Sequence, residues 1–149
     1  MVRIFLALLL GAMIASGSIA TATADEHEVL MLNRGEAGIM VFEPAILRIE
    51  PGDTVRFVAE DKGHNSESID GMTPPGATAW HGAINEEIVV TFDVEGAYGY
   101  RCTPHYGMGM VGLILVGDDL DNLAAAGEVR HPGKAQRVFE GLLEQAGNM

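Results

Sequence analysis

The chain has 149 residues, and a hydrophobic fraction of 48% in patterned runs argues against intrinsic disorder. Its formal net charge of −12 at pH 7 argues against nucleic-acid binding, which needs a basic face, and against docking on anionic lipid. The single cysteine cannot form an internal disulfide, so in an oxidising compartment its thiol would need burial or a bound partner.

The first residues follow the three-part pattern of a secretory signal. Arg3 gives a short positive region, residues 4–15 are almost wholly apolar, and Ala22-Thr23-Ala24 is a small-residue cleavage site. The apolar stretch is shorter than the ~20 residues that span a bilayer, so an uncleaved anchor is the less favoured alternative. We therefore expect a signal peptide over residues 1–24 and one domain over residues 25–149. Loss of Arg3 would make the net charge one unit more negative.

Short runs of β-branched and aromatic residues dominate the region from residue 28 to residue 117. The clearest runs are residues 55–58, 88–92 and 111–116. Turn signals rich in Gly, Pro and Asn separate them, for example Pro51-Gly52-Asp53. Many short strands at this spacing predict an antiparallel sandwich or barrel.

The tail changes to helical periodicity. A short helix capped by Asp118 or Asp119 is expected to run through Leu120, Leu123 and Ala124. A second helix is expected to have Pro132 in its first turn. Apolar residues on one face of the second helix are Ala135, Val138, Phe139, Leu142, Leu143 and Ala146. Its polar face lacks the dense Lys/Arg of an interfacial helix, so packing on its own domain is favoured over binding a membrane or partner.

A loop between two strand-like segments carries the chemistry of a soft metal site. Cys102, His105 and Met110 offer a thiolate, an imidazole and a thioether within nine residues. Thiolate and thioether suit Cu(I), and imidazole suits either oxidation state of copper. Zinc would accept Cys and His, but not readily a thioether. Met108 is a rival to Met110, which is only slightly favoured because the strand resumes there.

A further ligand must come from another part of the chain, and His64 is the best candidate. It follows a strand at a glycine turn and precedes Asn65, which could donate to a sulfur or tie its loop to the cysteine loop. His27, His81 and His131 have no such neighbour. Taken alone, His64 fits a surface histidine as well as it fits a ligand.

The pattern Cys-x-x-His-x-x-x-x-Met over residues 102–110 resembles the ligand loop of the cupredoxins, and the wider set of motifs resembles the pseudoazurin family. The other motifs are Met40-Val41-Phe42-Glu43-Pro44-Ala45, Pro51-Gly52-Asp53-Thr54-Val55, Gly63-His64-Asn65 and Gly96-Ala97-Tyr98. They keep their order and spacing over about residues 28–143. The resemblance implies a mainly β fold, an eight-stranded Greek-key cupredoxin sandwich or barrel with two C-terminal α-helices.

The resemblance also implies one type 1 copper ion that alternates between Cu(I) and Cu(II). Its metal ligands would be His64, Cys102, His105 and Met110, with Met108 packed beside His105. The implied function is that of a soluble, monomeric electron carrier of the periplasm. Transient redox partners such as copper nitrite reductase or c-type cytochromes would exchange single electrons with it.

Two other classes of function remain to be weighed. A copper oxidase or reductase would need a second copper centre with further histidine pairs, for which five histidines are too few. The sequence also has no evident general base, substrate cleft or oxyanion loop, so we expect no enzymatic activity. A copper chaperone or storage protein is the alternative, and it would favour an open, exchangeable site.

By the same resemblance, partners would dock around the outer edge of His105. The surrounding apolar patch would be Met40, Pro104 and Met108. Basic positions that steer acidic partners are kept at Arg34, Lys62 and Arg101. At three further positions where family members commonly have lysine, this chain has Ala79, His81 and Ala83. We therefore expect weaker steering than in a lysine-rich relative.

Overall fold

The computed structural model describes residues 23–149. The predicted signal peptide, apart from its last two residues, lies outside the described residues. The described chain forms these strands and helices: β1 (Glu26–Gly35), β2 (Gly38–Glu43), β3 (Ile46–Ile49), β4 (Thr54–Val58), β5 (Glu67–Ser68), β6 (Ile88–Thr91), β7 (Gly96–Arg101), β8 (Val111–Val116), α1 (Leu123–Ala126) and α2 (Ala135–Ala146). No helix in this part of the chain is long and apolar enough to cross a membrane.

The strands form two four-stranded sheets, in the orders β2-β1-β4-β6 and β3-β8-β7-β5. Most neighbours are antiparallel, but β1 pairs with β4 and β3 pairs with β8 in parallel. The expectation of a purely antiparallel sandwich is therefore wrong at these two pairs. A parallel pair needs a crossover rather than a hairpin, and the chain crosses between the sheets from β2 to β3 before β4 returns beside β1. The expected cupredoxin sandwich with two C-terminal helices is confirmed.

The main core lies between the sheets. Alternate residues of β1 and β4 face it, because side chains in a strand alternate with period two: Val29, Met31, Val55 and Phe57 are all 0% exposed. Aromatic rings fill the centre, where Phe42 and Phe57 both make edge contacts with the ring of Tyr100. This packing fixes β7, which leads directly into the cysteine loop.

A second core lies between β8 and the helical tail. Leu113 and Leu115 of β8 pack with Ala135 and Phe139 of α2. The alternate side chain Ile114 belongs to the core between the sheets. Because both faces of β8 are covered, its sequence is almost continuously apolar. The expectation that the second helix packs on its own domain is confirmed.

The helices begin later than the sequence pattern predicts. The backbone N–H groups of Asp118 and Asp119 both donate to the carboxylate of Glu95, so these residues form a turn instead of capping a helix. Helix α1 begins after Asn122, whose side chain donates to and accepts from the backbone of Ala97 at 2.8 Å. Helix α2 begins three residues beyond Pro132, at Ala135.

Candidate metal centre

Three of the predicted ligands converge at one end of the sandwich. His64, Cys102 and His105 present ligand atoms that all lie within 4.8 Å of one another. The sulfur of Cys102 is 3.7 Å from Nδ1 of His64 and 3.5 Å from Nδ1 of His105, and the two nitrogens are 3.1 Å apart. His64 and Cys102 are fully buried, whereas His105 is half-buried. The three donors therefore point at one shared space beneath the surface.

The loop from Cys102 to Met110 folds back on itself. Cys102 N–H donates to the carbonyl of Met110 at 3.0 Å, and the N–H groups of His105 and Met110 donate to the carbonyls of Cys102 and His105 at 3.2 Å. Gly109 ends the 3-10 turn with φ of 92°, a conformation that strongly favours glycine. These bonds hold three predicted ligands on one short closed loop between β7 and β8.

The two methionines of this loop differ in environment. Met110 is 0% exposed and packs in the core cluster that includes Cys102, whereas Met108 is 44% exposed. His64 and Cys102 are also fully buried, so the burial of Met110 favours it over Met108 as the residue that would supply a weak fourth ligand. The four-ligand set stays a prediction at this point, with Met110 supported by its position.

Asn65 connects the two ligand-bearing loops. Its side-chain NH₂ donates to the hydroxyl of Thr103 at 3.1 Å and to the carbonyl of Gly82 at 3.0 Å, and its carbonyl oxygen accepts from Thr103 N–H at 2.7 Å. The expected tie between Asn65 and Thr103 is confirmed. Asn65 is buried and bonds to both the backbone and the side chain of Thr103, so these contacts fix the distance between the His64 and Cys102 loops.

The protonation of the donors is set by burial. Burial lowers the pKa of His64, with a smaller effect from the charge of His105, so the ring is neutral as a ligand must be. Burial also raises the pKa of the Cys102 thiol, although backbone N–H groups of Asn65 and His105 oppose this by favouring the thiolate. A buried thiolate is therefore stable here only beside a cation.

Comparison with known proteins agrees with this geometry. Residues 29–117 match the family model of copper binding proteins, the plastocyanin/azurin family. Pseudoazurin from Methylorubrum extorquens is 49% identical over 144 residues, which cover 95% of this chain and 97% of the relative. Pseudoazurin from Paracoccus pantotrophus is 49% identical over 126 residues, which cover 85% and 87%. The chain belongs to the pseudoazurins.

The structural comparison leads to the same family. The crystal structure of pseudoazurin from Methylobacterium extorquens AM1 matches with a TM-score of 0.79 at 50% identity, over 82% of this chain and 99% of that chain. Pseudoazurin from Hyphomicrobium denitrificans matches with a TM-score of 0.76 at 41% identity, over 80% and 97%. The cofactor of this pseudoazurin is copper, as expected, and the protein is a type 1 copper electron-transfer protein.

The donor set fits copper on chemical grounds. Two imidazole nitrogens and one cysteine sulfur form a rough triangle, and a buried thioether follows on the same loop. This combination is typical of trigonal His₂Cys copper sites with a weak axial methionine. A structural zinc site would instead complete four strong nitrogen, sulfur or oxygen ligands. The residues present therefore suit copper better than zinc.

The other three histidines of this pseudoazurin contact protein side chains away from this site. His27 contacts the carboxylate of Asp53 at 2.8 Å, and His81 contacts that of Glu67 at 3.0 Å. His131 lies 2.6 Å from the hydroxyl of Tyr106 through its Nδ1. The choice of His64 over these three agrees with the geometry.

Sequence reasoning missed the residues that orient the ligands from a distance. The side-chain oxygen of Asn33 lies 3.0 Å from Nε2 of His64, which turns Nδ1 towards Cys102. Asn33 lies near the end of β1, and in the sequence its Asn-Arg-Gly context gives no signal beyond that of a turn. On the other side of the loop, Lys134 N–H donates to the carbonyl of Gly107 at 2.9 Å, close to the contact between Tyr106 and His131.

Proposed function

We propose that His64, Cys102, His105 and Met110 hold one copper ion, and that the protein carries single electrons between partners in the periplasm. The observation that carries this proposal is the convergence of two imidazole nitrogens and the Cys102 sulfur within 3.1–3.7 Å in a buried space. When bound, copper supplies a one-electron redox couple.

The protein's own contribution is to keep the donors in place. Asn33 orients His64, Asn65 joins the two loops, and the closed loop fixes His105 relative to Cys102. Backbone N–H groups directed at the Cys102 sulfur stabilise its negative charge. Because these contacts come from a packed sandwich, the donors hold one arrangement in both oxidation states, which keeps reorganisation small.

Electrons would leave through His105. Its ring belongs to the donor set and is half-buried, while its neighbours Pro104 and Met108 are exposed. An apolar surface of this kind suits small, short-lived redox contacts. The partners we propose are periplasmic redox proteins such as copper nitrite reductase or a c-type cytochrome, with the chain acting as a monomer. Export would follow from the predicted signal peptide over residues 1–24.

A copper chaperone or storage role is less compatible with the site. Metal transfer needs ligands that an incoming partner can replace in turn. Cys102, His64 and Met110 are each 0% exposed, so three of the four donors are out of reach without local unfolding. Burial of this kind suits retention of the ion.

The proposal is tested by optical and paramagnetic-resonance spectra of the copper-loaded protein. We expect an intense blue colour in the oxidised form, from a Cys102-to-Cu(II) transition, and loss of colour on reduction. Cys102→Ser should abolish the colour, because a hydroxyl cannot replace the thiolate, while Met31→Leu in the same core serves as a control. A colourless oxidised protein, or a Cys102→Ser variant that stays blue, would refute the assignment.

A further inference from the structure

Both backbone groups of Asp25 are held where the described chain enters its first strand. The nitrogen of Asp25 donates to Oδ1 of Asp53 at 2.8 Å. The carbonyl oxygen of Asp25 accepts from Thr54 N–H at 2.9 Å. The parallel pairing of β1 with β4 starts at the next residue, Glu26, opposite Thr54. Residue 25 is thus fixed by the loop that precedes β4.

The carboxylate of Asp53 is enclosed and charged. Asp53 is only 6% exposed, and its Oδ2 accepts from Glu50 N–H at 3.1 Å and contacts Nε2 of His27 at 2.8 Å. The hydrogen bond from Asp25, followed by that from His27, holds the pKa of this carboxyl below its ordinary value of 3.8. Within residues 23–149 its ion-pair partner is a histidine and not a lysine or arginine. A nearly buried carboxylate in this position is stabilised by a neighbouring positive charge.

We propose that Asp53 is the binding site for the α-ammonium group of the mature chain, formed when the leader is cut after Ala24. The inference rests on the proposed export and on cleavage by a signal peptidase at Ala22-Thr23-Ala24. Hydrolysis consumes one water and breaks the amide between Ala24 and Asp25, leaving a carboxylate on Ala24 and an ammonium on Asp25. The nitrogen that lies 2.8 Å from Oδ1 of Asp53 then carries a full positive charge.

Cleavage would therefore replace a neutral amide donor with a charged ammonium donor on the same carboxylate, and the hydrogen bond becomes an ion pair. The bond to the carboxylate is charge-assisted in both forms, and the ammonium adds the Coulomb attraction of a full positive charge. The precursor lacks this interaction, so the folded state gains it only after the leader is removed. The charged groups around the ammonium are Asp53, His27 and the carboxylate of Asp25 itself, with Glu50 and the Glu26–Arg56 ion pair on the adjoining residues. The carboxylates raise the proton affinity of the amine, whereas a protonated His27 would lower it.

The test uses the full chain expressed with its leader in a bacterial host and recovered in mature form. Intact-mass measurement identifies the first residue, and NMR titration gives the pKa of its α-amino group. We expect the chain to begin at Asp25 and the α-amino pKa to lie about one unit above the ordinary ~7.7–8.0. Asp53→Asn should return this pKa to the ordinary range. Glu50→Gln removes one charge from an exposed neighbour and should leave it raised.

Two results would overturn the proposal. A mature chain that begins elsewhere than Asp25 would place the ammonium away from Asp53. An ordinary α-amino pKa in the wild-type protein would show that Asp53 does not bind it, and this measurement decides the matter even if Asp53→Asn fails to fold. Neither result bears on the blue spectrum, which tests the copper function separately.

Discussion

Met108 and Met110 separate the surface of the ligand loop from its interior. We expect Met110→Gln to lower the reduction potential, because a harder axial oxygen stabilises Cu(II) relative to Cu(I). Met108→Ala should leave the site blue and its potential nearly unchanged, since Met108 is 44% exposed and Met110 is 0% exposed. Voltammetry and optical spectra of both variants check this. If only Met108→Ala changes the spectrum, then Met108 and not Met110 is the copper ligand.

Asn65 is the residue on which the spacing of the two ligand loops depends. Asn65→Ala removes three hydrogen bonds and leaves the carbonyl of buried Gly82, as well as Thr103 N–H, without this partner. We expect the free energy of unfolding to fall by about 2–3 kcal/mol, because a buried polar group without a partner costs ~1–3 kcal/mol. Urea unfolding of the metal-free protein measures this. Asn148→Ala, at an exposed position, is the control and should change the stability by less than ~0.5 kcal/mol.

At the scale of elements, the helical tail and the ligand loop act on each other. The hydroxyl of Tyr106 lies 2.6 Å from Nδ1 of His131, just before α2, and the ring of His131 packs on Phe139 of α2. Tyr106→Phe should remove this contact, with faster hydrogen exchange at the amide of Lys134 that bonds to Gly107. Exchange measured by NMR on the metal-free protein tests this.

The control for that variant is Tyr98→Phe. Its hydroxyl makes an equally short bond, 2.6 Å to the carbonyl of Val94, at the start of β7 and away from the ligand loop. Each of the two variants loses one hydrogen bond, so each should lower the free energy of unfolding by ~1 kcal/mol. Tyr98→Phe should nevertheless leave hydrogen exchange at the Lys134 amide unchanged. Equal acceleration in both variants would show that general loosening, and not the contact with the tail, controls the loop.

Elements with strong local patterns could be predicted from the sequence, and elements defined by distant contacts could not. The apolar run of β8 and the apolar stripe of α2 were both found, because β8 buries all six of its residues and the buried residues of α2 recur at helical spacing on one face. The two-residue β5 is defined by its pairing with β7 and by a bridge from Glu67 to His81, both distant in sequence. The parallel pairs depend on a crossover that no local pattern encodes. Three candidate ligands of the cysteine loop could be recognised from the sequence because they lie within nine residues of one another. The contact of Asn33 with His64 could not, because the two residues are 31 positions apart.

At the scale of the whole molecule, acid stability should depend on Asp53. Its pKa is lowered in the folded state, first by the bond from Asp25. The folded state therefore binds this proton less readily than the unfolded state does, so the stabilisation is present above pH 3.8 and is lost as the pH falls through the lower folded value. Asp53→Asn should be less stable than the wild type near pH 6. Below pH ~3 the stability difference between the two proteins should become smaller, because the wild-type carboxyl is then protonated as well. Thermal unfolding across this range, with Glu50→Gln as control, checks it.

The acidic charge is partly concentrated at the end of the sandwich away from the metal centre. Glu95, Asp118 and Asp119 cluster where β8 ends, and the ligand loop lies where β8 begins. Six residues of strand span about 20 Å, which exceeds the screening length of ~8 Å at physiological salt. Local charges near His105 therefore dominate the field that a docking partner meets.

The three basic residues near the metal centre differ in how far neighbouring groups compensate their charge. Arg34 and Lys62 are exposed, and each lies within two residues of Asn33 or His64. Arg101 is paired with Glu67 at 3.0 Å and stacks over the ring of Tyr106, so much of its charge is compensated. We expect Arg34 and Lys62 to contribute most of the attraction for an acidic partner.

Association kinetics with an acidic redox partner, such as a copper nitrite reductase, test this expectation. Arg34→Gln combined with Lys62→Gln should slow association several-fold at low salt and have little effect at high salt, because steering acts on the on-rate and is screened. The matched control is Gln145→Glu with Asn148→Asp, which makes the same change in net charge at the far end of α2, about 18 Å from its start. Equal slowing by both pairs would mean that net charge alone governs association. No slowing by Arg34→Gln with Lys62→Gln would mean that this partner docks away from the His105 end.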